Sequence, residues 1–356
     1  MQRILVTSAW VAAALGALPA VAAQRTFVAS TGVDTNPCSL AKPCRGFAAA
    51  ILLTDPNGEV VVLDSAGYGP VTVTKPVSIV APPGVYAGIS VFAGQDGVTV
   101  IAGATDKVAL RGLSINGQGG NNGIVVAGGG QVHIEHCEVA NLGIDGVVVA
   151  GASAVHIANS TVRSNGARGI HSLASAGEVY VNETRVAHNA AQGILAEAGV
   201  LSVNRTVSEG NGSSGLLVNP GSPSTVSAVV RGSVAVGNAG SGIVAITDAI
   251  GEIANLAVDD SGAMRNGFTG FAANSNSLGT ATLVLSQSSS TYNQSIGVFA
   301  SGTGATAYVS SSTVSRNVGT GLLLMNSSAF HSHGNNAVNG NGGGDKVGAI
   351  VNDGTL

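Results

Sequence analysis

Residues 154–170, AVHIANSTVRSNGARGI, and residues 178–194, EVYVNETRVAHNAAQGI, align without a gap and decide the fold between them. Each opens with an apolar residue at every second position, Val155 and Ile157 in the first and Val179 and Val181 in the second. This period of two marks a strand with one buried face. Each then carries an asparagine, Asn165 or Asn189, followed four residues later by a glycine and one apolar residue. The same anchor returns at Asn211, Asn238, Asn266, Asn293 and Asn317, at intervals of 22 to 28 residues. An interval in this range is the signature of a solenoid, in which each unit buries its apolar face against the next.

A coil of about 24 residues holding two or three short strands has no room for a helix, which disfavours leucine-rich and α-helical repeats. The expected architecture is a parallel β-helix whose coils pair about 4.8 Å apart. In such a stack, equivalent asparagines can form a ladder of side-chain amides. The glycine is expected to take a backbone conformation that a side chain would obstruct. The residue after it (Ile170, Ile194, Leu216, Ile243, Phe271, Val298 or Leu322) should point inward. Residues 60–120 supply further coils without the asparagine. About a dozen coils would make a stack roughly 60 Å long.

Composition agrees with many short strands and tight turns: 52 of 356 residues are glycine and only 10% are charged. The formal net charge of −4 and the lack of a basic face argue against nucleic acid as a partner. Residues 1–23 have the three parts of a signal peptide, with Arg3, an apolar stretch and small residues at Ala20, Ala22 and Ala23. Export to the periplasm or the exterior is therefore expected, with no membrane span in the mature chain. In an oxidising compartment Cys38 and Cys44 are placed for a local disulfide, and Cys137, inside a strand, reads as a buried thiol. The domain plan is a signal peptide (1–23), an N-terminal strand and capping helix (24–59) and the β-helix (60–356), expected as a monomer.

With these repeats the chain resembles the pectin-lyase-like right-handed parallel β-helix proteins. Residues 27–53, FVASTGVDTNPCSLAKPCRGFAAAILL, resemble the segment that begins such proteins, in which a strand and a short helix, here Gly46 to Leu53, cover the first coil. The resemblance is specific for fold. Members that act on polysaccharides use a calcium-binding acidic cluster with an arginine base, or paired aspartates. The physical need is to neutralise a uronate carboxylate and remove its α-proton, or to supply an acid and a second carboxylate. VHIEHCEV (132–139) resembles the pectate lyase strand pattern Val-Trp-Ile-Asp-His, with His133 in place of the tryptophan and Glu135 in place of the aspartate.

If Val132 and Ile134 point inward, His133 and Glu135 point outward, with His156 and Tyr180 stacked beside His133 on the next coils. His133, Glu135, His156 and Tyr180 form the candidate sugar-binding group, set against the plainer reading of a solvated β face. Asp248, Glu252, Asp259 and Asp260 gather in the longest coil, although Asp259-Asp260-Ser-Gly reads first as a turn. Asp145 and Arg168, each just before an anchor glycine, are expected to form an exposed pair worth about 0–1 kcal/mol. Arg163, Arg185 and His188 read as turn residues. Triplets such as Asn182-Glu-Thr and Asn204-Arg-Thr match a glycosylation acceptor but recur at one point of the coil, so the repeat accounts for them.

The preferred functional reading is a noncatalytic exported protein that binds a glycan or surface partner, without a cofactor. A polysaccharide lyase or glycoside hydrolase is the alternative, with Ca2+ implied only for a lyase. A structural or adhesive module is the third.

Overall fold

The computed structural model describes residues 23–354, apart from 152 and 174–176. The signal peptide expected over residues 1–23 therefore lies outside the described residues but for Ala23. Among the described residues the chain winds into a parallel β-helix with three sheets of 14, 12 and 12 strands. Each coil visits them in the same order. In one coil, for example, Glu178–Asn182 lies in the longest sheet, Arg185–Ala187 in the second and Ile194–Ala196 in the third. Every strand pairs in parallel with its equivalent one coil away, so Val181 stands beside Ile157 on one side and Val203 on the other.

The first corner takes two residues. Its leading residue adopts the left-handed conformation, at φ near 50° in Asn159, Glu183 and Arg205, which turns the chain sharply within one residue. Its second residue carries a buried hydroxyl in coil after coil. The backbone N–H of Thr206 donates to Ser233 Oγ at 3.1 Å, that of Ser233 to Ser261 Oγ at 3.2 Å and that of Ser261 to Ser288 Oγ at 3.2 Å. A separate link of the same kind lies nearer the N-terminus, where Cys137 donates its N–H to Ser160 Oγ. The threonines of the Asn182-Glu-Thr and Asn204-Arg-Thr triplets, Thr184 and Thr206, both lie in this buried row.

The second corner holds the asparagines. Asn165 donates through Nδ2 to Asn189 Oδ1 at 2.8 Å, and the chain of bonds continues through Asn211, Asn238, Asn266, Asn293 and Asn317 to Asn341, each link being 2.9 to 3.0 Å. Each Oδ1 also accepts the backbone N–H of the preceding asparagine, as Asn238 Oδ1 does from Asn211. Both ends are satisfied. Leu142 takes the place before Asn165 and donates its N–H to that ladder, and Asn341 donates to Asp345 Oδ1 at 2.9 Å.

The anchor glycines serve a different purpose from the one expected. Gly193 is not among the residues with positive φ, so its own backbone would accept a side chain. The obstruction is in the next coil, where a Cβ on Gly193 would stand 2.6 Å from Gly215 O and 2.7 Å from Asn211 Nδ2. The residues after these glycines stack inward as expected, from Ile170 to Leu322, each no more than 2% exposed. They line one continuous core with Val155, Ile157, Val179 and Val181.

At the N-terminus the strand Ala23–Val28 pairs with Thr54–Val62, and the helix Phe47–Leu53 lays Phe47, Ala50 and Ile51 over the first coil. Gly46, expected as the first helical residue, is its N-cap in extended conformation. Between these elements Cys38 and Cys44 are joined as a disulfide with Cα atoms 4.6 Å apart. At the other end Val351–Gly354 makes a partial last coil against Ala329–His333. Among the described residues no helix is long and apolar enough to cross a membrane.

Candidate functional site

The middle residues of three consecutive strands in the longest sheet point outward because their neighbours are fixed in the core. Val132 and Ile134, Val155 and Ile157, and Val179 and Val181 are all fully buried. His133 is thereby registered against His156, and His156 against Tyr180. The rings stack. His133 and His156 lie 4.8 Å apart with planes 8° from parallel, and His156 and Tyr180 lie 4.6 Å apart at 5°. This separation is the coil spacing itself, and it falls within the range in which ring pairs attract.

Small side chains flank the stack. Ala109 stands beside His133 and Ser202 beside Tyr180, so the outer ring faces at both ends have no bulky neighbour in their column. The rims are tied down by carboxylates. Glu135 accepts from Arg111 Nε at 2.9 Å and lies 3.7 Å from His133 Nδ1. The Tyr180 hydroxyl donates to Glu178 Oε2 at 2.8 Å. Burial, followed by the charge of His133, holds the His156 imidazolium below the usual histidine range. The hydrogen bond to Glu178 raises the Tyr180 phenol, and burial adds to this. The arrangement presents ring edges, two ring faces with only small side chains beside them in the column, and fixed polar atoms. Both nearby carboxylates already have partners, Glu135 in Arg111 and Glu178 in Tyr180.

A second cluster includes a residue that sequence reasoning did not single out. His171, on the outer side of Ile170–Ser172, is 5% exposed and places Nδ1 3.0 Å from Asp145 Oδ2. Arg168 donates its backbone N–H to Asp145 Oδ1 at 2.8 Å and brings Nη1 within 3.5 Å of Oδ2. Burial raises the Asp145 carboxyl, yet the His171 bond, the Arg168 N–H and the two charges together hold it below the ordinary range. The Asp145–Arg168 pair is thus not the exposed one expected. The histidine folds onto Asp145, which is 3% exposed. Glu197 Oε2 lies 3.4 Å from His171 Nε2, a charge contact out of line for a hydrogen bond, and that nitrogen has no hydrogen-bond partner among the described residues. With so little exposure the cluster is closed to a polymer.

The outer stripe beyond His171 is apolar. Leu195, Leu217, Val244 and Ala272 follow it in register and form a second buried cluster with Ile246 and Phe299. A sequence signal exists for this. Ile194-Leu195-Ala196, Leu216-Leu217-Val218 and Ile243-Val244-Ala245 are unbroken apolar runs, and such runs mark strands covered on both faces.

Residues 96–255 match the family described as "Right handed beta helix region". The fold of the chain is a right-handed parallel β-helix. No curated protein matches its sequence. A solved periplasmic alginate epimerase is similar in structure at 13% identity and a TM-score of 0.50, over 83% of this chain and 74% of that one. A GH136 lacto-N-biosidase from Eubacterium ramulus gives 11% and 0.45, over 93% and 67%, and a pectate lyase gives 16% and 0.39, over 88% and 70%. At these identities the likeness is one of fold.

The β-helix does not gather the four carboxylates of its longest coil into a site. Asp248 accepts from Asn219 Nδ2 and Asn276 Nδ2 on the coils to either side. Glu252 accepts the backbone N–H groups of Asp248 and Ala249 and closes its own loop. Asp259 accepts from Ser286 Oγ at 2.7 Å, and Asp260 is the left-handed residue of a first corner, in keeping with its turn reading. Arg163 pairs with Glu138 and Arg185 with Glu209 across neighbouring coils, while His188 occupies a left-handed turn position. These exposed pairs are each worth about 0–1 kcal/mol.

Proposed function

We propose that this protein is an exported β-helix that binds a glycan along its longest sheet and does not cleave it. The observation that carries the reading is the in-register stack of His133, His156 and Tyr180, with an open ring face beside Ala109 and another beside Ser202. A sugar ring docks on an aromatic face by apolar contact, and its hydroxyls then meet the fixed atoms of Glu135, Glu178 and the imidazole edges. Binding needs no acid–base pair, and Glu135 and Glu178 are engaged with Arg111 and Tyr180. Export is supported by the leader-like residues 1–23 and by a disulfide at Cys38–Cys44, which an oxidising compartment would maintain.

The test is a panel of immobilised glycans, including alginate, pectate and neutral polymers, with and without Ca2+. Retention should occur without new reducing ends or unsaturated products and should be lost in His156→Ala/Tyr180→Ala. Turnover of any polymer, abolished by Glu135→Ala, would replace this reading with an enzymatic one.

A further inference from the structure

The outward column that holds His133, His156 and Tyr180 continues along the same sheet. Register carries it from Tyr180 to Ser202, Val229, Ala257 and Val284, and then to Tyr308 and His331. Tyr308 and His331 stack in turn, with centroids 4.9 Å apart and planes at 17°. His331 Nδ1 lies 3.0 Å from Asp353 Oδ2, just as the first stack has its carboxylates at the rim. Five coil steps separate Tyr180 from Tyr308, about 24 Å along the axis.

We infer that the two stacks are the terminal subsites of one binding strip, and that its ligand is an extended, uncharged glycan chain lying parallel to the helix axis and spanning both. The inference rests on the glycan reading above and gives the ligand its length and charge class. The interval between the stacks is open. Val284 is 44% and Tyr308 38% exposed, and Ser202, Val229 and Ala257 are half-buried. A low apolar ridge therefore joins the rings. The register-equivalent columns beside it carry Asn204 and Ser286 on one side and Ser227, Asn255 and Thr282 on the other. Amides and hydroxyls at each coil step match a polymer that presents hydroxyls at regular intervals. The charges in these columns between the stacks are Arg231 and Asp259, opposite in sign on adjacent rungs, so the interval has no net charge to attract a polyanion or a polycation.

A chain that engages the first stack holds its remaining length close to the second, which makes the second contact intramolecular. Short chains reach one stack only. The test uses length-graded cello-, xylo- and laminari-oligosaccharides, from disaccharides to chains longer than the interval, titrated calorimetrically against the full chain. Affinity for at least one series should rise by roughly 10²-fold once the chain spans both stacks. Tyr308→Ala/His331→Ala should remove that gain and leave short-chain binding at the first stack intact, while Tyr308→Phe retains most of the gain. Unchanged melting of the variants separates this from loss of fold. Short-chain binding with no gain in length, or a gain that survives Tyr308→Ala/His331→Ala, overturns the two-subsite strip and leaves the glycan reading standing. Absence of binding by every glycan, charged or neutral, overturns both.

Discussion

His171 Nδ1 and Asp145 Oδ2 stand 3.0 Å apart across one coil step, beside the apolar outer stripe that runs on from Leu195 to Ala272. Removing one partner of a buried pair leaves the other uncompensated. Asp145→Ala should therefore lower unfolding stability by about 3 kcal/mol, read from the denaturant midpoint. The pH dependence has a definite sign. Because the folded-state carboxyl titrates below its ordinary value of 3.8, its contribution is complete above that value and is lost as pH falls through the depressed folded pKa. Acid titration of the wild type and Asp145→Asn should differ in that window, and superimposable curves would remove the ion pair from the stability of the fold.

The asparagine ladder has a polarity that predicts which substitutions it tolerates. Asn238 accepts from Asn211 and donates to Asn266 Oδ1 and Ser208 O, so it needs both amide functions. Asn238→Asp keeps the acceptor but sets a carboxylate against two acceptors. It should cost about 2–3 kcal/mol, the penalty of unsatisfied buried groups. Asp345 only receives bonds from Asn341, and Asp345→Asn should be nearly neutral. Gly193→Ala should be as harmful as the ladder change, since its Cβ meets Gly215 O and Asn211 Nδ2. Equal melting temperatures for Asn238→Asp and Asp345→Asn would contradict this polarity.

Stacking in register explains what could be read beforehand. Where each coil needs the same residue type, as at Asn165 through Asn317, repetition in space becomes repetition in sequence, and the inward column follows. The hydroxyl row was hidden because a backbone N–H can be met by different acceptors: Ser160 Oγ takes that of Cys137, Ser233 Oγ that of Thr206, and Asn336 Oδ1 that of Ser312. The ring stack was legible because period two assigns outward positions, so His133, His156 and Tyr180 align once Val132, Val155 and Val179 do. The burial of His171 was not legible. It depends on Asp145 and Glu197 from the coils to either side, and no local pattern encodes that convergence.

The three cysteines should behave in two distinct ways. Closing the short Cys38–Cys44 loop restricts the unfolded chain, so Cys38→Ser/Cys44→Ser should destabilise the N-terminal cap by about 2 kcal/mol. Hydrogen exchange in Ala23–Val28 and Phe47–Leu53 should report the change first. Cys137 is buried, with its thiol pushed up to about 11, so it should resist alkylation in the native state and react on unfolding. Rapid native labelling of Cys137 would show that its coil opens.

His156 links the candidate site to pH. It lies between His133 and Tyr180, and both burial and the neighbouring imidazole disfavour its charged form. Its NMR titration midpoint should fall below the ordinary 6.5. Above that value the group contributes no pH dependence. As pH drops below it the unfolded chain takes up a proton more readily than the folded one, so stability declines until the folded midpoint is passed. His133→Ala removes the neighbouring charge and opens the ring to water, and should move the midpoint back toward 6.5. If glycan binding uses the neutral stack, affinity in the wild type should hold through mildly acidic pH and fall only when His156 itself protonates. A midpoint unaltered by His133→Ala would show that neither the charge of His133 nor the cover its ring provides contributes to the shift.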